Sequence, residues 1–411
     1  MDCVALCQVV QSLGVADPSL ARFIGLLIAV VLVSGVPLLT VVFLILAERK
    51  IAARIQDRIG PNRVGPYGLL QTVADLLKLL GKEDITPAAA DRVLYNAAPL
   101  ISFASVVLIW AVIPFMYAAN EPGAVVGVDL DIGVLYFVAV ASLGTLAIMT
   151  AGWASNNKYA LLGAFRVVAL LVSYEIPLVF ALLIPVMFAG SMSMVDIIEA
   201  QSHMWFIFMA PLATFLFFIS SQAETGRAPF DLIEAESELV AGFNIEYSGM
   251  KFGMFFAAEF LHVFTNGILL AILYMGGYLG FLYQVFPPIG FLWLGLKGTI
   301  FYFISLWLRN TLPRLRIDQV MGFNWFFLVP VSILNVILTA LILKLMQLAG
   351  WAPTDMANSS LIGMLPITIV LLAKDVIMIV MIMGRVALEG REARAAEQRL
   401  NDDLLVTAAG D

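Results

Sequence analysis

The chain has 411 residues, of which 61% are hydrophobic and 13% charged, with a formal net charge of −7; soluble domains carry about 45–50% apolar and about 25% charged residues. A mean hydropathy of +0.96 excludes a water-soluble globule, and the negative balance excludes a nucleic-acid binder, which needs a basic face. Two cysteines, Cys3 and Cys7, exclude a disulfide-stapled domain, and with no CxxC pair and only His203 and His262 as histidines no metal, flavin or haem is expected on this chain.

The fold class expected is all-α, a polytopic membrane protein of about nine transmembrane helices. Each candidate is an apolar run near the roughly 20 residues that a bilayer crossing needs. In chain order the runs are Phe23 to Ala47, Leu94 to Ala118, Ile132 to Trp153, Ala160 to Ala189 and Met204 to Ser221, then Phe252 to Leu279, Ile289 to Leu308, Trp325 to Ala349 and Leu361 to Gly384. The opening Met1-Asp2-Cys3 lacks the charged n-region of a cleavable signal peptide, and the first run is too long for an h-region. Lys and Arg alternate between connections: the first carries Arg49, Lys50, Arg54 and Arg58 among others, and the next, 119–131, carries none. By the positive-inside rule the basic loops and the C-terminus are cytoplasmic and the N-terminus is periplasmic. The expected organisation is therefore a tail over 1–22, a membrane domain over 23–384 with cytoplasmic loops 48–93 and 222–251, and a cytoplasmic tail over 385–411.

Two loops carry most of the information. In the first, Leu69, Leu70, Val73, Leu76, Leu77 and Leu80 recur at helical spacing opposite Gln71, Asp75, Lys78 and Lys82, which predicts an amphipathic helix lying at the membrane interface. Gly60-Pro61-Asn62 and Gly65-Pro66 precede it and separate it from the first span. The second loop holds Glu224, Asp231, Glu234, Glu236, Glu238 and Glu246, with only Arg227 and Lys251 as local cations. On a helix Asp231, Glu234 and Glu238 share a face, and crowded, partly buried carboxylates titrate as a coupled set able to pass protons. The charges alone also fit a solvated acidic loop. Interleaved Pro229, Phe230, Leu232, Ile233 and Phe243 favour burial.

Within the spans, Glu175 precedes Ile176-Pro177, and Glu259 has His262 three residues on. An ionisable group at such depth costs about 2.5–3.5 kcal/mol on insertion scales and faces a bundle interior or a wet cavity; the alternative is a carboxylate that only hydrogen-bonds a neighbouring helix. Lys374 and Asp375 are adjacent, point apart along a helix and are read as structural, each meeting another helix or subunit. Lys297 and Lys344 are expected to snorkel from span ends. Phosphate loops, nucleophile elbows and metal-ligand spacings are missing.

Longer strings carry a resemblance. Glu48-Arg49-Lys50, Gln56-Asp57-Arg58-Ile59-Gly60-Pro61-Asn62, Ser173-Tyr174-Glu175, Glu224-Thr225-Gly226-Arg227-Ala228-Pro229-Phe230-Asp231, Glu236-Ser237-Glu238-Leu239-Val240, Gly242-Phe243-Asn244-Ile245-Glu246-Tyr247 and Arg316-Ile317-Asp318-Gln319 closely resemble the H-subunit family of proton-pumping NADH:quinone oxidoreductase, respiratory complex I. The likeness runs from the first span to the eighth. The ninth span and charged tail extend beyond that core, and Leu170, Gly226, Ile317 and Phe326 depart from the family's usual pattern.

The resemblance implies a translocase subunit of a bacterial inner membrane, with no redox centre of its own, that helps bind quinone (ubiquinone or menaquinone, as substrate) and couples its reduction to proton translocation. By likeness Arg49, Gln56, Arg58, Asp75, Glu224, Arg227 and Phe230 belong to or border the quinone chamber. Glu175, Asp231, Glu234, Glu236, Glu238, Glu246 and Glu259 look like the start of a buried carboxylate channel. The partners implied are the lipid bilayer, the subunit carrying the terminal iron–sulfur cluster, the 49-kDa-type quinone-site subunit and small antiporter-adjacent membrane subunits. The alternative is a membrane anchor of a related membrane-bound hydrogenase or other oxidoreductase without quinone binding.

Overall fold

The computed structural model describes residues 17–117, 124–231, 240–353 and 360–409. Its first element, α1, is a 38-residue helix over Pro18–Ile55, capped by the Asp17 side chain on the Ser19 amide and carrying the expected first apolar run. It ends ahead of the Gly-Pro segment. There the chain folds back so tightly that a β-carbon on Gly68, at φ 77°, would lie 2.2 Å from the Pro61 carbonyl oxygen. The amphipathic helix follows as α2, Gln71–Gly81, and keeps Leu76, Leu77 and Leu80 exposed.

The membrane bundle comprises α3 (Arg92–Ile109), α4 (Gly133–Ala154), α5 (Lys158–Ala189), short α6 (Met194–Glu199) and α7 (Phe206–Met209), α8 (Pro211–Glu224), α9 (Gly249–Met275) and α10 (Pro288–Thr311), then α11 (Ile317–Phe323), α12 (Val329–Leu348) and α13 (Leu361–Ala409). A wide turn over Asn324–Leu328 joins α11 to α12. The only β-pairing among the described residues is antiparallel, Met116 with Val125 and Tyr117 with Ala124.

Among the described residues, seven helices are long and apolar enough to cross a membrane by length and composition: Arg92–Val112, Gly133–Ala154, Lys158–Ala189, Gly249–Met275, Pro288–Thr311, Ile317–Leu348 and Leu361–Arg385. The stretch expected as the fifth span differs from a continuous rod. It breaks at Ala210, whose backbone is non-helical, and restarts with Pro211 at the first position of α8, where a missing N–H does no harm. The 14 residues of α8 span about 21 Å at 1.5 Å per residue, less than the roughly 30 Å hydrocarbon layer.

α9 is the central helix, with 78% of its membrane-length stretch buried against 33% for α4. It is apolar nearly all round, as a fully enclosed helix must be. Its Gly267 faces α10 so closely that a β-carbon there would sit 2.8 Å from the Gly298 carbonyl oxygen; small residues let membrane helices approach in this way.

The interior also satisfies charges that were expected elsewhere. Lys297 does not snorkel. Its ammonium is buried and donates to the carbonyls of Met275, Gly277 and Leu279 at 2.7, 2.9 and 2.6 Å, with Trp205's ring beneath it at 4.6 Å. All three donors find the free carbonyls just beyond α9, where a cation is also favoured by the helix dipole. Lys374 and Asp375 each reach another helix, as expected, but they also pair with one another at 2.7 Å. Lys374 donates to Asn335 and Thr339 of α12, and Asp375 accepts from the Leu212 amide freed by the break before α8.

Candidate functional site

Alternating helix direction brings charged ends together on one side of the bundle. Glu48 lies near the C-terminal end of α1, Arg309 in the last turn of α10, Arg227 just past the end of α8, and Glu259 in the first half of α9. Arg227 is only 1% exposed. Its Nη1 donates to both Glu48 carboxylate oxygens, at 2.7 and 2.8 Å, and Arg309 donates to Glu48 from the other side. Its Nε lies 3.2 Å from Glu259 Oε1, and its guanidinium stacks on the Phe260 ring at 4.8 Å. Burial works against the charge on Arg227, but Glu259 and Glu48 outweigh it and hold the guanidinium pKa above its ordinary value. The result is a neutral set of two cations and two carboxylates, the arrangement that makes buried charge tolerable.

A cavity of about 80 Å³ adjoins this cluster, lined by Glu224, Glu259, His262, Ser102, Ser105 and Thr145 among others. It is polar and large enough to hold water. Glu224, the last residue of α8, accepts from Asn266 Nδ2 through Oε2 at 3.2 Å, and its Oε1 lies 3.9 Å from His262 Nε2. Glu175 is half-buried on α5 beside Ser142, within electrostatic reach of Glu224. Three acids from three helices thus approach one another: Glu175, Glu224 and Glu259.

Glu246 is held apart from them. Asn157, the N-cap of α5, donates to its Oε1 at 2.7 Å, and Tyr95 donates to its backbone carbonyl at 2.6 Å. The Tyr95 and Tyr247 rings stack at 4.2 Å, and burial, helped by Tyr95, pushes the Tyr247 phenol pKa up, so it remains a donor to the Tyr95 carbonyl. Asp231 pairs with Arg314 at 3.0 Å. Glu234, Glu236 and Glu238 lie outside the described residues.

The residues expected around quinone fall into separate places. Arg49 pairs with Asp75, which also draws Gln71 at 3.3 Å and Lys78 at 3.7 Å; this ties the end of α1 to α2. Gln56 and Arg58 are exposed and bonded to each other at 2.8 Å. Phe230 is buried against Tyr174 at 5.3 Å. Glu224 faces the cavity, and Arg227 sits in the charge cluster. Reasoning from sequence leaves Glu48, Arg309 and Asn266 out of the site. Glu48 and Arg309 read as ordinary span-end charges, and the one available signal is Asn266 at i+7 from Glu259, on the same helical face.

Among the described residues no group of three or more His, Cys, Asp and Glu side chains is placed to hold a metal. Fold and site define an all-α polytopic membrane protein whose ionisable groups converge inside one end of the helical bundle. The family model described as NADH dehydrogenase matches residues 27–340. The chain is 49% identical over 306 residues to the H subunit of NADH-quinone oxidoreductase from Geobacillus thermodenitrificans (strain NG80-2), covering 74% of this chain and 90% of that one. It is 48% identical over 328 residues to the protein of the same name from Geobacillus kaustophilus (strain HTA426), covering 79% and 95%. For Brevibacillus brevis (strain 47 / JCM 6285 / NBRC 100599) the identity is 45% over 331 residues, covering 80% and 96%. The chain belongs to the NADH dehydrogenase family, within the H-subunit group of NADH-quinone oxidoreductase. The family match ends inside α12, so α13 lies outside it. Of the departures from the family's usual pattern, Gly226 has φ 62°, a conformation that glycine adopts freely and asparagine better than most.

Proposed function

We propose that this chain forms part of a quinone-binding chamber and the entrance of a buried carboxylate path, coupling quinone reduction to proton movement across a bacterial inner membrane. The name its relatives carry, NADH-quinone oxidoreductase, supports quinone as the substrate of the assembly and other subunits, including one bearing an iron–sulfur cluster, as partners. The observation that carries the reading is the fully buried Arg227 clamped between Glu48 and Glu259, beside a cavity into which Glu224 and His262 project. The basic connections support a cytoplasmic position for loops 48–93 and 222–251 and the C-terminus, with the N-terminus periplasmic.

Quinone, when bound, accepts electrons and then protons. The ionised Arg49–Asp75 pair at the interface offers donors and an acceptor for a polar headgroup, and the exposed leucines of α2 fit an apolar tail. Negative charge arriving on the headgroup raises the free energy of nearby carboxylates, because attraction and repulsion are large away from water. Arg227 holds Glu48 and Glu259 ionised. Glu224, bonded to the neutral Asn266, and Glu175, beside Ser142, are the acids free to bind or release a proton. A change at the loop is thereby passed to groups inside the bundle.

A photoreactive quinone in the intact assembly is expected to label loop 48–93 or loop 222–251. Labelling of neither, in an assembly that still reduces quinone, overturns the reading and leaves a membrane anchor.

A further inference from the structure

The two oxygens of the Glu224 carboxyl do different things. Oε2 accepts from Asn266 Nδ2 at 3.2 Å. An oxygen already receiving a hydrogen bond is the poorer site for a proton, so a protonated Glu224 carries its hydrogen on Oε1. That oxygen is the one directed at His262, 3.9 Å from Nε2. The distance is about 1 Å beyond a hydrogen bond, within reach of a small side-chain rotation or of reshaped water. Nε2 is buried and has no hydrogen-bond partner among the described residues. A buried ring nitrogen without a partner beside a carboxyl oxygen is an expensive arrangement unless the two exchange something.

Helix geometry supports the pairing. Glu259, His262 and Asn266 follow i, i+3, i+7 along α9 and share one face, so Asn266 fixes the acid from one turn beyond His262 while Glu259 lies one turn before it. His262 and Glu224 both line the cavity of about 80 Å³. An imidazole can take a proton on one nitrogen and release one from the other, which a carboxylate fixed by Arg227 cannot do at the same position.

We propose that His262 is the proton partner of Glu224. In the step, the Glu224 Oε1–H bond breaks and a bond to His262 Nε2 forms. Carboxylic acid and neutral imidazole become carboxylate and imidazolium; the imidazolium then gives its other proton to water in the cavity and returns to neutral. No electron moves. Charged and titratable groups facing His262 are Glu224 from α8 and Glu259 from its own helix, with Glu175 of α5 in electrostatic reach of Glu224 and Arg227 beyond Glu259. The carboxylates favour a transient imidazolium, and Arg227 limits that effect by neutralising Glu259. The proposal rests on the coupling role given above.

The test uses the intact assembly in proteoliposomes, with Glu224→Gln and His262→Gln made separately. His262→Gln is expected to lower proton translocation about tenfold and to remove one limb of its profile between about pH 5 and 8, where an imidazole titrates. A uniform fall at every pH, with both limbs kept, overturns the proposal in favour of a packing role. Full pumping by Glu224→Gln overturns the coupling role itself; loss in Glu224→Gln with an unchanged profile in His262→Gln overturns only the pairing. In unsubstituted assembly carrying ring-labelled histidine, redox-induced infrared difference spectra are expected to show an imidazolium band rising as a buried carboxyl band falls. No imidazolium band means that no such transfer occurs, whatever the variants do.

Discussion

Arg227 and Glu48 are 179 positions apart in the chain, yet the Arg227 Nη1 bridges both Glu48 oxygens at 2.7 and 2.8 Å inside the bundle. This contact ties the first helix to the loop after α8, and Arg309 adds α10 to the same carboxylate. Breaking a buried pair from one side leaves an unpaired charge and costs about 3–5 kcal/mol. Glu48→Ala is therefore expected to lower the thermal inactivation midpoint and the amount of assembled complex on native gels. The double variant with Arg227→Met is expected to be less damaging than the sum of the singles. Strict additivity would show that the pair does not interact as described.

Glu175→Gln and Glu246→Gln are each expected to cut coupled quinone reduction and proton pumping by at least about tenfold, within the range seen when a proton-transfer group is lost. Gln at 246 still accepts from Asn157 through its carbonyl, so the local fold is preserved. Full activity in a variant with both acids neutralised removes them from the proton path.

Lys297→Met is expected to destabilise the protein by about 3 kcal/mol, because three carbonyls lose a charged donor at once. Lys297→Arg is not expected to rescue it, since a flat guanidinium cannot meet three carbonyls arranged around a point charge. Thermal unfolding of the purified assembly reads the result, and wild-type behaviour in Lys297→Met would mean that those carbonyls have other partners.

Gly163 on α5 lies against the turn at Gly242–Asn244, and a β-carbon there would stand 2.6 Å from the Gly242 Cα. Backbone cannot yield as a side-chain tip can, so Gly163→Ala is expected to cost about 1–3 kcal/mol and to displace the segment carrying Glu246 and Tyr247. Faster proteolysis between residues 240 and 248 is the expected signature. Unaltered cleavage together with unaltered activity would refute the close approach.

Lys374→Leu alone leaves Asp375 buried beside the Leu212 amide without its cation and is expected to cost about 3–5 kcal/mol. The double change Lys374→Leu with Asp375→Asn removes both charges and is expected to recover most of that loss. Equal damage from single and double variants, measured by the retained fraction of assembled complex, would argue against the pair.

Much of the architecture follows from local order alone. The apolar runs determine that the chain lies in lipid, the Lys and Arg alternation gives an orientation, and the spacing of Leu69 to Leu80 yields α2 because hydrophobic period and helix period coincide. Pro211 marks a helix start, but whether the stretch before it crosses as one rod or breaks depends on neighbours. Asp375, 163 residues later, supplies the acceptor that lets the chain interrupt its helix inside a bundle without stranding an amide. Glu175, Glu224 and Glu259 stand out in the sequence as expensive charges, whereas nothing local announces that Glu48, Arg309 and Asn266 answer Arg227 and Glu224. Desolvation is paid residue by residue and can be read residue by residue. Compensation comes from whichever helix is adjacent in space, and only the tertiary packing decides which one that is.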